Sequence, residues 1–330
     1  MNHTTTTSIA FSLMLFVLFF LGSPVQAATQ LNVPFTSQAP DGIWIQPWKD
    51  ACEETSVFMV HRFYLQKNIE TAEDAKRGIF EIFNMKKTIH GTSLDENART
   101  IVNTINTFLP WSAHVVDDPT LADMKAELAD GRPIIVPAYA PALHNENFGG
   151  PFPYHMIVLS GYDDTDGVFI TEDPGTQYGH SYRYTYATIL DAMHDFLSGD
   201  VANGPKRAIF TNPDMGETAL LDGDRDGLSK TEEFQHGTVP YLYDSDGDGY
   251  GDGLEVNTGY FPTKNEPALI KEGVLVISTG SPNIYVIHKG QKRHVSNEGV
   301  FTAHGWQGSL LEWISDAMMK TIPEGTPLTS

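Results

Sequence analysis

The chain of 330 residues carries 21 Lys and Arg against 42 Asp and Glu, a formal net charge of −21. That balance disfavours nucleic acid and anionic surfaces as partners. With 41% hydrophobic and 11% aromatic residues the chain has the material for a packed core and is no disordered tail. Its length exceeds what one core ordinarily organises, so more than one unit is expected.

At the N-terminus, Ile9 to Leu21 is an apolar run too short for the ~20 residues that a membrane-spanning helix needs. Val25-Gln26-Ala27 follows in the A-x-A manner, so residues 1–27 read as a signal peptide cleaved after Ala27. An uncleaved N-terminal anchor is the alternative. The rest of the chain is then expected outside the cytoplasm, secreted or held at the cell envelope, with no membrane span once the signal is gone.

Cys52 is the only cysteine, so it has no partner for a disulfide within its own chain. It stands where a polar loop changes into an apolar, helix-forming stretch, Val57-Phe58-Met59-Val60. A thiol at a helix N-terminus faces unpaired N–H groups and the positive end of the macrodipole, which favours the thiolate. Glu53 and Glu54 oppose this, because neighbouring carboxylates raise a thiol's pKa.

Cys52 to Lys67 reads as a mostly buried helix, and Thr92 to Phe108 and Leu121 to Asp130 as surface helices. Ile134 to Tyr139, His155 to Tyr162 and Gly167 to Glu172 read as strands, with turn chemistry in Asp163 to Gly167. A helix from Thr188 to Leu197 and a strand from Arg207 to Thr211 close the region. Helices first and an antiparallel sheet afterwards is an α+β order. A tight turn between the second and third strands brings His155 near Asp173, so the carboxylate orients the imidazole and the imidazole takes the proton of Cys52.

Four stretches in this order carry a resemblance: Pro34-Phe35-Thr36-Ser37-Gln38, Ala51-Cys52-Glu53-Glu54-Thr55-Ser56, Tyr154 to Tyr162, and Glu172-Asp173-Pro174. Together they resemble the signature stretches of double-glycine-type cysteine peptidases, a family with a papain-like fold known from bacteriocin-processing exporters. The resemblance implies a catalytic domain over residues 28–213. It gives Cys52 as nucleophile, His155 as general base, Asp173 as orienting residue and a glutamine as oxyanion donor. Gln38 matches the family stretch, while Gln46, six residues before Cys52, has a spacing also used in papain-like enzymes. Gln38 is preferred. Two departures are Glu53 and Glu54, where many members have Gly after the cysteine, and the lack of a nucleotide-binding domain, so the exporter role does not carry over.

Residues 214–262 hold the strongest motif. Asp222-Gly223-Asp224-Arg225-Asp226-Gly227 with Glu233, and Asp244-Ser245-Asp246-Gly247-Asp248-Gly249 with Glu255, each satisfy D-x-D-x-D-G-x5-E. Alternating carboxylates bend round a Ca2+ ion, glycine permits the turn, and the last Glu binds bidentately. Leu228 and Tyr250 supply backbone carbonyls at the seventh position, and Asp252 adds a ninth-position ligand in the second loop. Gly237 and Pro240 keep the flanking helices short, so the pair resembles thrombospondin type 3 or dockerin-like repeats more than EF-hands. Magnesium is disfavoured in such all-protein cages.

Residues 263–330 read as a small β-rich module: strands at 273–277 and 284–287, a Lys289-Gly290 turn, and a third strand at 291–295. Trp306 and Trp313 read as its core rather than as a binding surface. The whole reads as an exported, calcium-binding, papain-like cysteine peptidase acting on peptide or protein. The alternatives are a transpeptidase or amidase acting on cell-wall peptides, and a catalytically silent, calcium-dependent adhesion or scaffold protein.

Overall fold

The computed structural model describes residues 28–91, 95–150 and 152–329. The signal-peptide reading of residues 1–27 lies outside the described residues, as does the first turn of the helix expected from Thr92.

Strand β1 (Ala28–Gln30) leads into helices α1 (Cys52–Tyr64), α2 (Ala72–His90) and α3 (Ala98–Phe108). Strand β2 (Ser112–Asp117), helix α4 (Leu121–Ala129), strand β3 (Ile134–Tyr139), the short α5 (Ala140–Leu143), and strands β4 (Tyr154–Asp163), β5 (Val168–Glu172) and β6 (Tyr182–Thr185) follow. Helix α6 (Tyr186–Ala192) and strand β7 (Arg207–Asn212) complete the unit. The seven strands form one sheet in the order β2-β7-β3-β4-β5-β6, with β1 added on β4. Every pairing in it is antiparallel, which is the α+β order expected.

The sheet is buried on both faces, and side-chain alternation sorts the two cores. Ile135, Tyr154, Met156, Val158 and Ile209 pack with α1, α2 and α3. Ile134, Val136, Ala138, Ile157 and Leu159 pack against Met124 and Leu128 of α4 and Ile189 of α6. Double burial explains why β3 and β4 read as continuous apolar runs rather than alternating ones.

Local sequence sets the helix starts. Thr120 and Asp123 close a capping box at α4, and Thr71 accepts the Asp74 N–H at α2. Asn97 caps α3 by accepting from Arg99 and Thr100, so this helix begins several residues later than expected. The 19-residue α2 was not expected; its apolar residues are interrupted by charged ones, and it is fixed by a buried ion pair between Lys86 and Glu54 of α1.

The acidic segment has two seven-residue helices, α7 (Lys230–His236) and α8 (Asp252–Thr258), as short as Gly237 and Pro240 implied. After α9 (Glu266–Leu269), strands β8 (Leu275–Ser278), β9 (Ser281–His288) and β10 (Gln291–His294) pair antiparallel in succession, β9 and β10 forming the expected hairpin. Helix α10 (Glu298–Ala303), strand β11 (Leu311–Ile314), parallel to β8, and helix α11 (Asp316–Thr321) complete it. Trp306 packs on Phe301 in this module's core as expected, whereas Trp313 is 52% exposed. That corrects the reading of Trp313: it stands on the outward face of β11, the last strand in the order β10-β9-β8-β11. No helix among the described residues is long and apolar enough to cross a membrane.

Candidate active site and acidic loops

Cys52 is the first residue of α1, at the seam where Ala51 leaves helical geometry. Ser56, one turn later, donates its hydroxyl to the Met156 carbonyl at 3.1 Å, tying the cysteine helix to the strand that carries His155. In β4, His155 lies opposite Ala138 of β3. Asp173 follows the last residue of β5, and the antiparallel β4–β5 pair returns it beside His155. The bond between His155 Nε2 and Asp173 Oδ1 is 2.7 Å. This engages Nε2 and leaves Nδ1 outside that bond.

The Asp173 carboxylate is wholly buried. Its Oδ2 accepts from the Tyr184 hydroxyl at 2.5 Å and from Asn145 at 3.2 Å, and its Oδ1 also accepts the Gly175 N–H at 2.9 Å. Burial opposes its ionisation, but the charge and hydrogen bond of His155, with Tyr184 and Gly175, outweigh burial and hold the carboxyl below its ordinary range. Phe148 and Phe152 stand edge-on to the imidazole, with ring centroids 5.3 and 5.5 Å away. A Cβ at residue 175 would lie 2.8 Å from the imidazole ring, so only glycine fits there. Asn145, Tyr184 and the two phenylalanines were missed in the sequence; Gly175 alone left a signal, as the glycine after Asp173-Pro174.

Around Cys52 the electrostatics run against a thiolate. Its Sγ donates to Glu53 Oε2 at 3.0 Å. Burial first, then the Glu53 charge and hydrogen bond, push the thiol well above its ordinary range. Burial thus adds to the opposition expected from Glu53 and Glu54, and the thiolate that a helix terminus favours is not the form held here. Glu53 is itself buried, and burial with the Glu54 charge pushes its carboxyl up to about 8. Its Oε1 accepts the Glu96 N–H at 2.9 Å, which holds the loop before α3 against the cysteine.

Gln38 and Gln46 are placed very differently. The Gln38 segment is held on the Asp173 loop, since its backbone N–H donates to the Pro174 carbonyl at 2.9 Å. Its side-chain amide donates to the carbonyls of Trp48 and Lys49 at 3.1 and 2.8 Å, while its buried Oε1 has no partner. Gln46 is exposed and bonds Asp50. Cys52, His155 and Gln38 line one cavity of about 560 Å³, together with Trp44, Asp95 and Tyr178. Gln46 is not among its lining residues.

The two acidic loops fold alike. Asp222 accepts the N–H groups of Arg225 and Gly227 at 2.7 and 3.2 Å; Asp244 accepts those of Gly247 and Gly249, both at 2.7 Å. Oxygens of Asp222, Asp224 and Asp226 gather in one group, and those of Asp244, Asp246 and Asp248 in another. Buried oxygens of Asp224, Glu233, Asp246 and Glu255 have no hydrogen-bond partner. Burial and neighbouring carboxylates push Glu233 and Glu255 up to about 8. Asp252 stands with Asp226 and Glu233 of the first loop.

A cysteine at a helix N-terminus and a histidine on an antiparallel sheet thus line one cavity. Residues 30–197, just over half of the chain, match the Peptidase_C39 like family, and the chain belongs to that family. No curated protein matches it. A crystal structure of a C39-like peptidase candidate from Bacillus anthracis is similar at 15% identity, over 56% of this chain and 98% of that one. Its TM-score is 0.39, so this likeness carries no further argument.

Proposed function

We propose that the protein is an exported cysteine peptidase that hydrolyses peptide bonds through a thioester on Cys52, and that its acidic loops bind Ca2+. The observation that carries the peptidase reading is the 2.7 Å bond from Asp173 to His155, a residue that lines one cavity with Cys52 and Gln38.

His155 Nδ1 takes the proton of the Cys52 thiol as the sulfur attacks the peptide carbonyl carbon. The imidazolium, held by Asp173, then gives that proton to the leaving amine as the C–N bond breaks. Water, deprotonated by the same nitrogen, releases the acid and restores the thiol. The Cys52 N–H and the Gln38 amide serve the oxyanion, which requires Gln38 to release a backbone carbonyl when substrate binds. Raising the thiol's pKa makes proton transfer to His155 part of catalysis rather than a resting ion pair.

The donor set of the loops is oxygen throughout, with buried oxygens short of a partner in each, which suits Ca2+. Asp222, Asp224, Asp226 and Glu233, with the Leu228 carbonyl, would hold one ion. Asp244, Asp246, Asp248 and Glu255, with the Tyr250 carbonyl, would hold the second. Export follows from the proposed signal peptide. Profiling a peptide library by mass spectrometry, wild type against Cys52→Ala, tests the activity. Cleavage by both, or by neither, would sink the peptidase reading.

A further inference from the structure

We infer that Asp252, from the second acidic loop, completes the cation site of the first, so that Asp226, Glu233 and Asp252 form one divalent-cation site shared by both loops. The inference rests on the calcium reading above and goes beyond it, because that reading treats the loops as two independent sites.

Oxygens of these three residues lie within 4.8 Å of one another. Glu233 is 2% exposed and Asp252 wholly buried, so neither is satisfied by bulk water. Glu233 Oε2 accepts from the Thr238 hydroxyl at 2.9 Å, whereas its buried Oε1 has no hydrogen-bond partner. An ionised carboxylate oxygen at that depth is costly unless a cation compensates it.

The first loop needs an outside ligand. Its ninth position is Lys230, whose ammonium cannot coordinate a cation and points elsewhere: it donates to the Asn106 carbonyl at 2.8 Å and to the Thr218 hydroxyl at 2.9 Å. Asp252 supplies the carboxylate that this position lacks. Its own position is fixed from the second loop, through the Ser245 N–H at 2.9 Å and the Ser245 hydroxyl. The loops are also joined directly, since Asp226 Oδ2 accepts the Gly253 N–H at 2.7 Å. A Cβ at residue 253 would lie 2.3 Å from the Asp226 carbonyl oxygen, so glycine is required at this crossing.

The ligand is a hard divalent cation with oxygen coordination, Ca2+ by its tolerance of irregular carboxylate cages. The test is isothermal titration of CaCl2 into the full chain carrying Asp246→Asn, which weakens the second loop's own group and leaves the first loop's event to be read. Adding Asp252→Asn should weaken this event by about tenfold or more, the scale on which site residues alter metal affinity. An unchanged dissociation constant in the double variant would overturn the sharing while leaving calcium binding intact. No heat with wild type at millimolar calcium would overturn the calcium reading, and the sharing with it. Asn keeps an oxygen for Ser245, and unchanged circular dichroism in excess calcium would separate lost coordination from lost folding.

Discussion

Cys52 and Glu53 are adjacent in sequence and are also hydrogen-bond partners, with Sγ donating to Oε2 at 3.0 Å inside a protein interior. Cys52, the proposed nucleophile, is thus held as a thiol by its own neighbour. At neutral pH its alkylation should be slower than that of an exposed cysteine, and should climb with pH beyond the usual thiol range. Glu53→Gln removes a charge that Glu53 carries only above about pH 8, so it should speed alkylation several-fold on the alkaline limb and little at pH 7. A pH–rate profile with iodoacetamide reads both; slower alkylation in Glu53→Gln would mean that Glu53 aims the sulfur rather than suppressing it.

Asp173 orients His155 under constraint from Tyr184, Asn145 and Gly175. Asp173→Ala should lower kcat by roughly 10²–10⁴, the range for losing a positioned acid–base partner, with little change in KM. Gly175→Ala should act through the same ring, because its methyl would press on the imidazole. In both variants Cys52 should still be alkylated. Single-turnover assays on a substrate from the peptide library would check this, and unchanged kcat in both would remove His155 from the mechanism.

The two glutamines separate by position. Removing an oxyanion donor costs about 10²–10³ in kcat, so Gln38→Ala should suppress turnover strongly and Gln46→Ala mildly. The reverse ranking in steady-state assays would move the oxyanion hole to the loop before Pro47.

Stability should respond to pH and calcium together. Glu53, Glu233 and Glu255 are each raised from 4.5 to about 8 in the folded chain. Between those values the folded state keeps protons that the unfolded chain has released, so stability falls as pH rises through this window. Asp173 acts in the opposite sense: its lowered pKa adds stability at higher pH that is lost on acidification. Calcium bound as proposed would replace the protons of Glu233 and Glu255. Thermal denaturation from pH 5 to 8 should therefore show a steep loss of Tm in chelator and a shallower one in calcium. Parallel curves would show that the loops take no cation.

What the sequence made legible was governed by local rules. The strand from Ile134 to Tyr139 is found at those residues because a short apolar run between Pro133 and α5 has few alternatives. The His155–Asp173 meeting followed from a hairpin whose turn was visible in Asp163 to Gly167. Helix α2 escaped notice because its burial depends on α1, a partner that periodicity does not reveal. Strands β2 and β6 are short and half-exposed, so their pairing, not their composition, defines them. Asp252 was assigned to its own loop by spacing alone. Its place beside Asp226 comes from the crossing of two backbones, which no motif encodes.

Lys230 links parts that the sequence divides at residue 213. Lys230 is 1% exposed, its ammonium ends on the Asn106 carbonyl of α3, and Tyr241 lays its ring edgewise against Phe108, a core residue of the N-terminal unit. A chain cut after Pro213 would uncover Phe108 and strip α3 of its outer support. The same α3 begins beside Glu96, whose N–H steadies the Glu53 carboxyl that accepts from Cys52. The acidic segment thus serves as a buttress, and the peptidase is to be assayed with it attached.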